Sequence, residues 1–184
     1  MEQDHYKWVH EAVVHIEAIQ PVGTKGAAME TSIVNLPAMR VVGMAYVGRN
    51  ENAEIAAMWG EFSRRFDDVQ GKICPSVKLG VCGDAREDGS FRYVAGFHVE
   101  ADAPVPDGMA VSDVPAATYV VVTQRGVLSD ERSGLGAALN FVYREWLPQS
   151  GYQRAATPDL EWYDERFSDR EDSEMDVYTP IVPA

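Results

Sequence analysis

MRVVGMAYVGRNENAEIAAMWGEFSRRF, residues 39–66, reads as a strand that runs into a helix. The β-branched and aromatic run 39–47 stops at Gly48. Ile55, Met58, Trp59, Phe62 and Phe66 then fall on one side of a 3.6-residue period, the stripe of an amphipathic helix. The same reading recurs further on. Residues 118–123 form a second strand-like run ending at Arg125-Gly126, and Leu135, Ala138, Leu139, Val142 and Trp146 follow at helical spacing. Each copy is followed by two more strand-like runs, 77–82 and 91–99 after the first, 160–163 and 175–181 after the second. Gly48 and Gly126 lie 78 residues apart, and the closing strands are offset by a similar amount. The chain therefore reads as a tandem duplication of a strand-helix-strand-strand unit, of class α+β.

Neither unit can bury a sheet face and a helix stripe by itself. The two are expected to associate about a pseudo-twofold axis into one antiparallel sheet with the helices on one face. The other face, or the cleft between the units, is left to hold something. Alternation supports a two-faced sheet: Phe91, Tyr93, Ala95, Phe97 and Val99 point one way, and Leu160 and Trp162 oppose Glu161 and Tyr163. Loop signals fall at 84–90 (with Asp88-Gly89), 103–108 and 148–158. Ahead of the body, Tyr6, Val9, Val13 and Ile16 mark a short amphipathic helix, broken by Pro21, Gly23 and Gly26. The chain thus divides into a helical extension with its linker, 1–30, and a body, 31–184.

Composition narrows the function. Of 184 residues, 46% are hydrophobic and 24% charged, the balance of a folded globular protein. The longest runs without a charged side chain, 114–124 and 133–143, are about half of what a membrane-spanning helix needs. The first residues, with Glu2, Asp4, His5 and Lys7, carry no apolar signal core, so a cytoplasmic protein is expected. Two cysteines, Cys74 and Cys82, are read as reduced thiols. No metal site or cofactor is expected: the four histidines do not meet the cysteines at ligand spacing, and His10 and His15 are five residues apart where a zinc-protease helix needs four. The net charge is −13, with nine acids between residues 159 and 176. Such a field attracts cations and repels phosphate, so this chain alone is not expected to bind nucleic acid.

VNLPAMRVVGMAYVG (34–48), Trp59, YVVVTQRG (119–126), EWLPQSGY (145–152), LEWYDERF (160–167) and MDVYTPI (175–181) occur in order and in register. Together they resemble the GyrI-like effector-binding domain, found at the C-terminus of AraC-type transcription regulators and in stand-alone proteins. The resemblance covers about residues 31–182. YKWVHEAVVHIEAI (6–19) is similar to the first helix of an AraC-type DNA-binding domain, without the two helix-turn-helix motifs that would follow.

The resemblance implies two modules enclosing a pocket for small lipophilic cations. Glu161 matches the family's pocket glutamate, Trp59 an aromatic of the first-half helix, and Tyr163 and Tyr178 positions that are often aromatic. Tyr93, Phe97 and Tyr119 are further ligand-binding candidates by alternation, with Phe141 and Trp146 behind them; Phe62 and Trp146 read better as core. From the residues alone, Glu161 is a carboxylate among Leu160, Trp162 and Tyr163, costly to bury unless compensated. The alternative is an edge residue or a partner of Arg166 or Arg125. The leading function is binding of lipophilic cationic compounds by a non-enzymatic sensor or sequestering protein. Family members named as gyrase inhibitors imply protein interaction as an alternative, and others imply hydrolysis of cyclopropane-bearing toxins.

Overall fold

A computed structural model describes residues 29–127, 134–168 and 170–184 of the chain. The extension helix at 6–19 and its linker lie outside these residues. The elements run β1 (Thr31–Leu36), β2 (Met39–Gly48), α1 (Glu54–Ser63), a 3-10 turn (Phe66–Asp68), β3 (Lys78–Gly83), β4 (Phe91–Val99), β5 (Ala110–Val114) and β6 (Ala117–Arg125). Then follow α2 (Leu135–Phe141), a π-helical stretch (Val142–Trp146), α3 (Leu147–Ser150), β7 (Tyr152–Arg154), β8 (Asp159–Tyr163) and β9 (Glu174–Pro183). The duplicated units are β2-α1-β3-β4 and β6-α2-β8-β9.

Among the described residues one sheet holds every strand, in the order β1-β6-β9-β8-β3-β4-β2-β5, with β7 on β9. All the pairings are antiparallel. The order is a palindrome about the β3–β8 pair, where the two units meet as the expected pseudo-twofold requires. Its outermost strands are exchanged: β1 precedes β2 but pairs with β6 of the second unit, and β5 precedes β6 but pairs with β2 of the first.

That exchange shapes the sheet. Pro37-Ala38 alone joins β1 to β2, and Pro115-Ala116 alone joins β5 to β6, so strands at opposite ends of the order are tied by two residues each. Three Cα–Cα steps of about 3.8 Å cannot cross an open sheet of this width. The sheet therefore curls until its ends approach. The face away from the helices closes into a core of its own, in which Leu36 of β1 and Val114 of β5 share a cluster with Val41, Leu79, Val94, Leu160, Trp162 and Tyr178. The sequence reading left this face as a possible binding surface; the curl fills it instead. Gly43 faces Gly96 across β2 and β4, and a Cβ at Gly43 would overlap the Ala95 carbonyl, so both positions require glycine for the close approach.

The helices cover the opposite face. α1 packs Met58 and Phe62 on Val42, Tyr93, Ala95 and Phe97, and the α2 segment packs Ala138, Val142 and Trp146 on Val120, Val122, Val177 and Ile181. Trp59 touches both clusters and bridges them. The expected hairpin closes at Arg86 and Ser90, with Gly89 at φ 81°. The 148–158 region, read as a loop, contains α3 and β7.

Candidate functional site

β8 lies next to the centre of the palindrome, and its alternation decides the site. Leu160 and Trp162 enter the far core, while Asp159, Glu161 and Tyr163 face the helices. Opposite Glu161 stand Gly80 on β3 and Val177 on β9; opposite Asp159 stands Cys82, itself opposite Tyr93 of β4. Gly80 has no side chain to fill the space beside the carboxylate. The Tyr93 ring leans across it and donates its hydroxyl proton to Glu161 Oε2. Tyr163 donates to the same oxygen at 2.7 Å, and Trp59 Nε1 donates to the Tyr93 oxygen at 3.1 Å. Trp59 also meets the Tyr163 ring edge-on at 5.3 Å, and Phe167 continues the wall against Tyr163 at 4.8 Å.

Glu161 is buried, 8% exposed, and among the described residues no Lys, Arg or His pairs with it. Burial pushes its carboxyl above the usual carboxylate range; the two tyrosine hydroxyls pull it part of the way back, and the nearby Asp159 adds to the rise. Burial, and then Glu161 itself, hold Tyr93 and Tyr163 far above ordinary phenols, so both remain donors. The Cys82 thiol is pushed up to about 12 by burial, then by Glu161 and Asp159, and stays protonated. The salt-bridge alternative for Glu161 does not hold: Arg166 pairs with Asp164, Glu174 and Asp176, and Arg125 with Glu30 and Glu174.

Four sequence candidates come together here: Glu161, Trp59, Tyr163 and Tyr93. Tyr119 and Tyr178 do not. They point into the far core, where their rings meet at 6.1 Å, because β9 is registered with Tyr178 opposite Leu160 and Val177 opposite Glu161. Tyr178 is therefore not a hydroxyl donor to Glu161, the role in which Tyr93 stands. Phe97, 1% exposed, packs with Phe62 and Phe66 beneath α1. Trp146 is core, stacked on Tyr152, and Phe141 packs against the second cluster. The sequence reading missed Gly80 and Phe167; a glycine inside the strand run KLGVCG was the available signal. A separate cavity of about 350 Å³ opens on the far side between Val81, Arg92, Ser112 and Thr157, and no candidate residue lines it.

Among the described residues no group of His, Cys, Asp and Glu is placed to hold a metal ion, and no helix is long and apolar enough to cross a membrane.

The model of the GyrI-like small molecule binding domain matches residues 29–182. The transcriptional regulator BrlR of Pseudomonas aeruginosa is 37% identical over 155 residues, 83% of this chain and 56% of the regulator, so the chain spans little more than half of that protein. A transcription regulation protein structure from Staphylococcus aureus MU50 superposes with TM-score 0.64 at 17% identity, over 84% of this chain and 99% of that one. SAV2435 bound to tetraphenylphosphonium superposes with TM-score 0.65 at 17% identity, over 84% and 94%. With its duplicated fold, its curled sheet and a family match over nearly all of the body, this chain belongs to the GyrI-like small molecule binding domain family.

Proposed function

We propose that the chain binds lipophilic cations in the cleft between its two units, with Glu161 as counter-ion and Trp59, Tyr163, Tyr93 and Phe167 as aromatic surroundings. One observation carries this reading: Glu161 is a buried carboxylate held by neutral hydroxyls and by no cation of the described chain. Its two donors converge on Oε2, which leaves Oε1 to a ligand. A structure of the same fold bound to tetraphenylphosphonium supports the ligand class.

The physical scale is adequate. A charge pair at about 4 Å is worth on the order of 4 kcal/mol at an effective dielectric of about 20. Each aromatic face adds roughly 0.5–2 kcal/mol to a nearby cation, and burying about 200 Å² of apolar ligand contributes about 5 kcal/mol. Association costs of roughly 4–15 kcal/mol are subtracted from that sum, and micromolar affinity, about 8 kcal/mol, lies within the range that remains. Apolar area and ring faces do not define one shape, so several lipophilic cations are accepted. The similarity to BrlR supports a sensor role, with sequestration as the form it takes if no output domain is attached.

Binding of a permanent cation requires the ionised carboxylate. Affinity for tetraphenylphosphonium is therefore expected to be constant at high pH and to fall as the pH drops through the raised Glu161 value, beginning above the usual carboxylate range. Titration calorimetry between about pH 5 and 8 reads this; a fall confined to the ordinary carboxylate range would contradict it. The raised carboxyl also suits a general base, which favours hydrolysis as a second reading. Turnover of a cyclopropane-bearing or ester compound that disappears in Glu161→Gln would put that reading first.

The division into 1–30 and 31–184 is also proposed. A chain starting at Met29 retains every strand of the sheet, and is expected to melt within a few degrees of the full chain; a large loss would assign the extension to the folded body.

A further inference from the structure

The helix-side face of β8 carries a second carboxylate. Asp159 stands two residues before Glu161 on the same face, which separates them by about 7 Å along the strand. Their surroundings differ. Both Asp159 oxygens accept from the Tyr143 hydroxyl, at 3.0 and 3.2 Å, and Oδ2 accepts from Arg154 Nη2 at 2.8 Å. Arg154 is fixed in turn: Nε donates to the Tyr143 oxygen at 2.9 Å, and Nη1 to the Ala155 carbonyl at 2.9 Å. Tyr143 is supplied by the π-helical stretch after α2, a local widening of the helix of a kind common at functional sites. Glu161, then, has no cationic partner among the described residues, while Asp159 is paired with Arg154.

We propose that Arg154 is a specificity-determining residue: by neutralising Asp159 it sets the cleft to accept one positive charge, and excludes Asp159 from serving as the second counter-ion of a dication. The inference rests on Glu161 as the cation's counter-ion. It implies that the cleft discriminates by charge number through an internal cation, and that a single substitution converts it into a dication receptor.

The test compares tetraphenylphosphonium with pentane-1,5-bis(trimethylammonium), whose charges are about as far apart as two carboxylates two residues apart on a strand. Affinities are measured by calorimetry on the full chain. In Arg154→Gln the dication is expected to bind about tenfold more tightly or better than in the wild type, with tetraphenylphosphonium changed less than about threefold. Adding Asp159→Asn to that variant is expected to abolish the gain. Tyr143→Phe, which loosens the clamp and leaves both charges in place, is expected to shift the ratio the same way by about threefold. An unchanged ratio in Arg154→Gln and Tyr143→Phe, or a gain that survives Asp159→Asn, overturns the inference. If tetraphenylphosphonium binding depends on Glu161 and the ratio does not move, this inference alone fails; if it does not depend on Glu161, the reading of the site fails and takes the inference with it.

Discussion

Replacing Glu161 with glutamine is expected to weaken tetraphenylphosphonium binding at least about tenfold, roughly 1.4 kcal/mol, and at the same time to raise the melting temperature near pH 7. The two effects have opposite signs because they have one cause. A buried carboxylate with only hydroxyl partners is poorly solvated, and its pKa in the folded protein lies above its unfolded value. The folded state therefore holds the proton more tightly than the unfolded state. Stability falls as the pH rises from the ordinary carboxylate range through the raised value, and the penalty is complete above it. Glutamine removes the penalty together with the proposed counter-ion, and its amide oxygen can still accept from Tyr93 and Tyr163. A residue placed for stability would behave the other way, since breaking a buried ion pair is destabilising. Calorimetric melting and binding on the same two proteins separate the cases. A lower melting temperature with unchanged cation affinity would make Glu161 structural.

Gly80→Ala is expected to cost about 1–3 kcal/mol of stability, in the range of overpacked cores, and to reduce cation affinity about tenfold or more. A Cβ at Gly80 would lie where the Tyr93 hydroxyl and Glu161 Oε2 now meet, against the rigid end of a ring that α1 confines. Tyr93 must withdraw, so Glu161 loses one donor and Trp59 loses the oxygen that orients its indole. Tyr93→Phe relieves the hydroxyl part of the overlap. The double variant is therefore expected to recover part of the stability without recovering affinity. Recovery of both would place the effect in packing alone.

Local periodicity made much of this fold legible. The strands at 39–48, 91–99 and 174–183 stand out as long apolar runs buried between the helices and the shared far core, and both helix stripes stand out because each helix packs on the strands of its own unit. β1 and β5 do not stand out. TSIVNL and AVSDV are short, half polar and followed by proline, and become strands only through pairing with the opposite unit. The candidate site's geometry was legible where parity is internal to one strand: Tyr163 must share a face with Glu161 because it lies two residues on. Tyr178 is on another strand, and its face depends on a register that no local pattern reports; a slip of one residue would have brought it to the site. Gly80 illustrates the same limit. Its glycine was visible, but the space it opens beside Glu161 exists only in the β3–β8 register.

If a buried negative charge, and not apolar surface alone, selects the ligand, then the sign of the charge decides binding between two ions of one shape. Tetraphenylphosphonium and tetraphenylborate have nearly the same shape and apolar area and opposite charge, so shape and hydrophobicity cancel between them. Titration of both into the wild type and Glu161→Gln is expected to give a cation preference of about a hundredfold or more in the wild type, since one charge contact at an effective dielectric of about 20 already amounts to several kcal/mol. That preference is expected to collapse to within about tenfold in the variant, the remainder arising from the overall charge of −13. Equal binding of the two ions by the wild type, or a cation preference untouched by Glu161→Gln, would contradict the account.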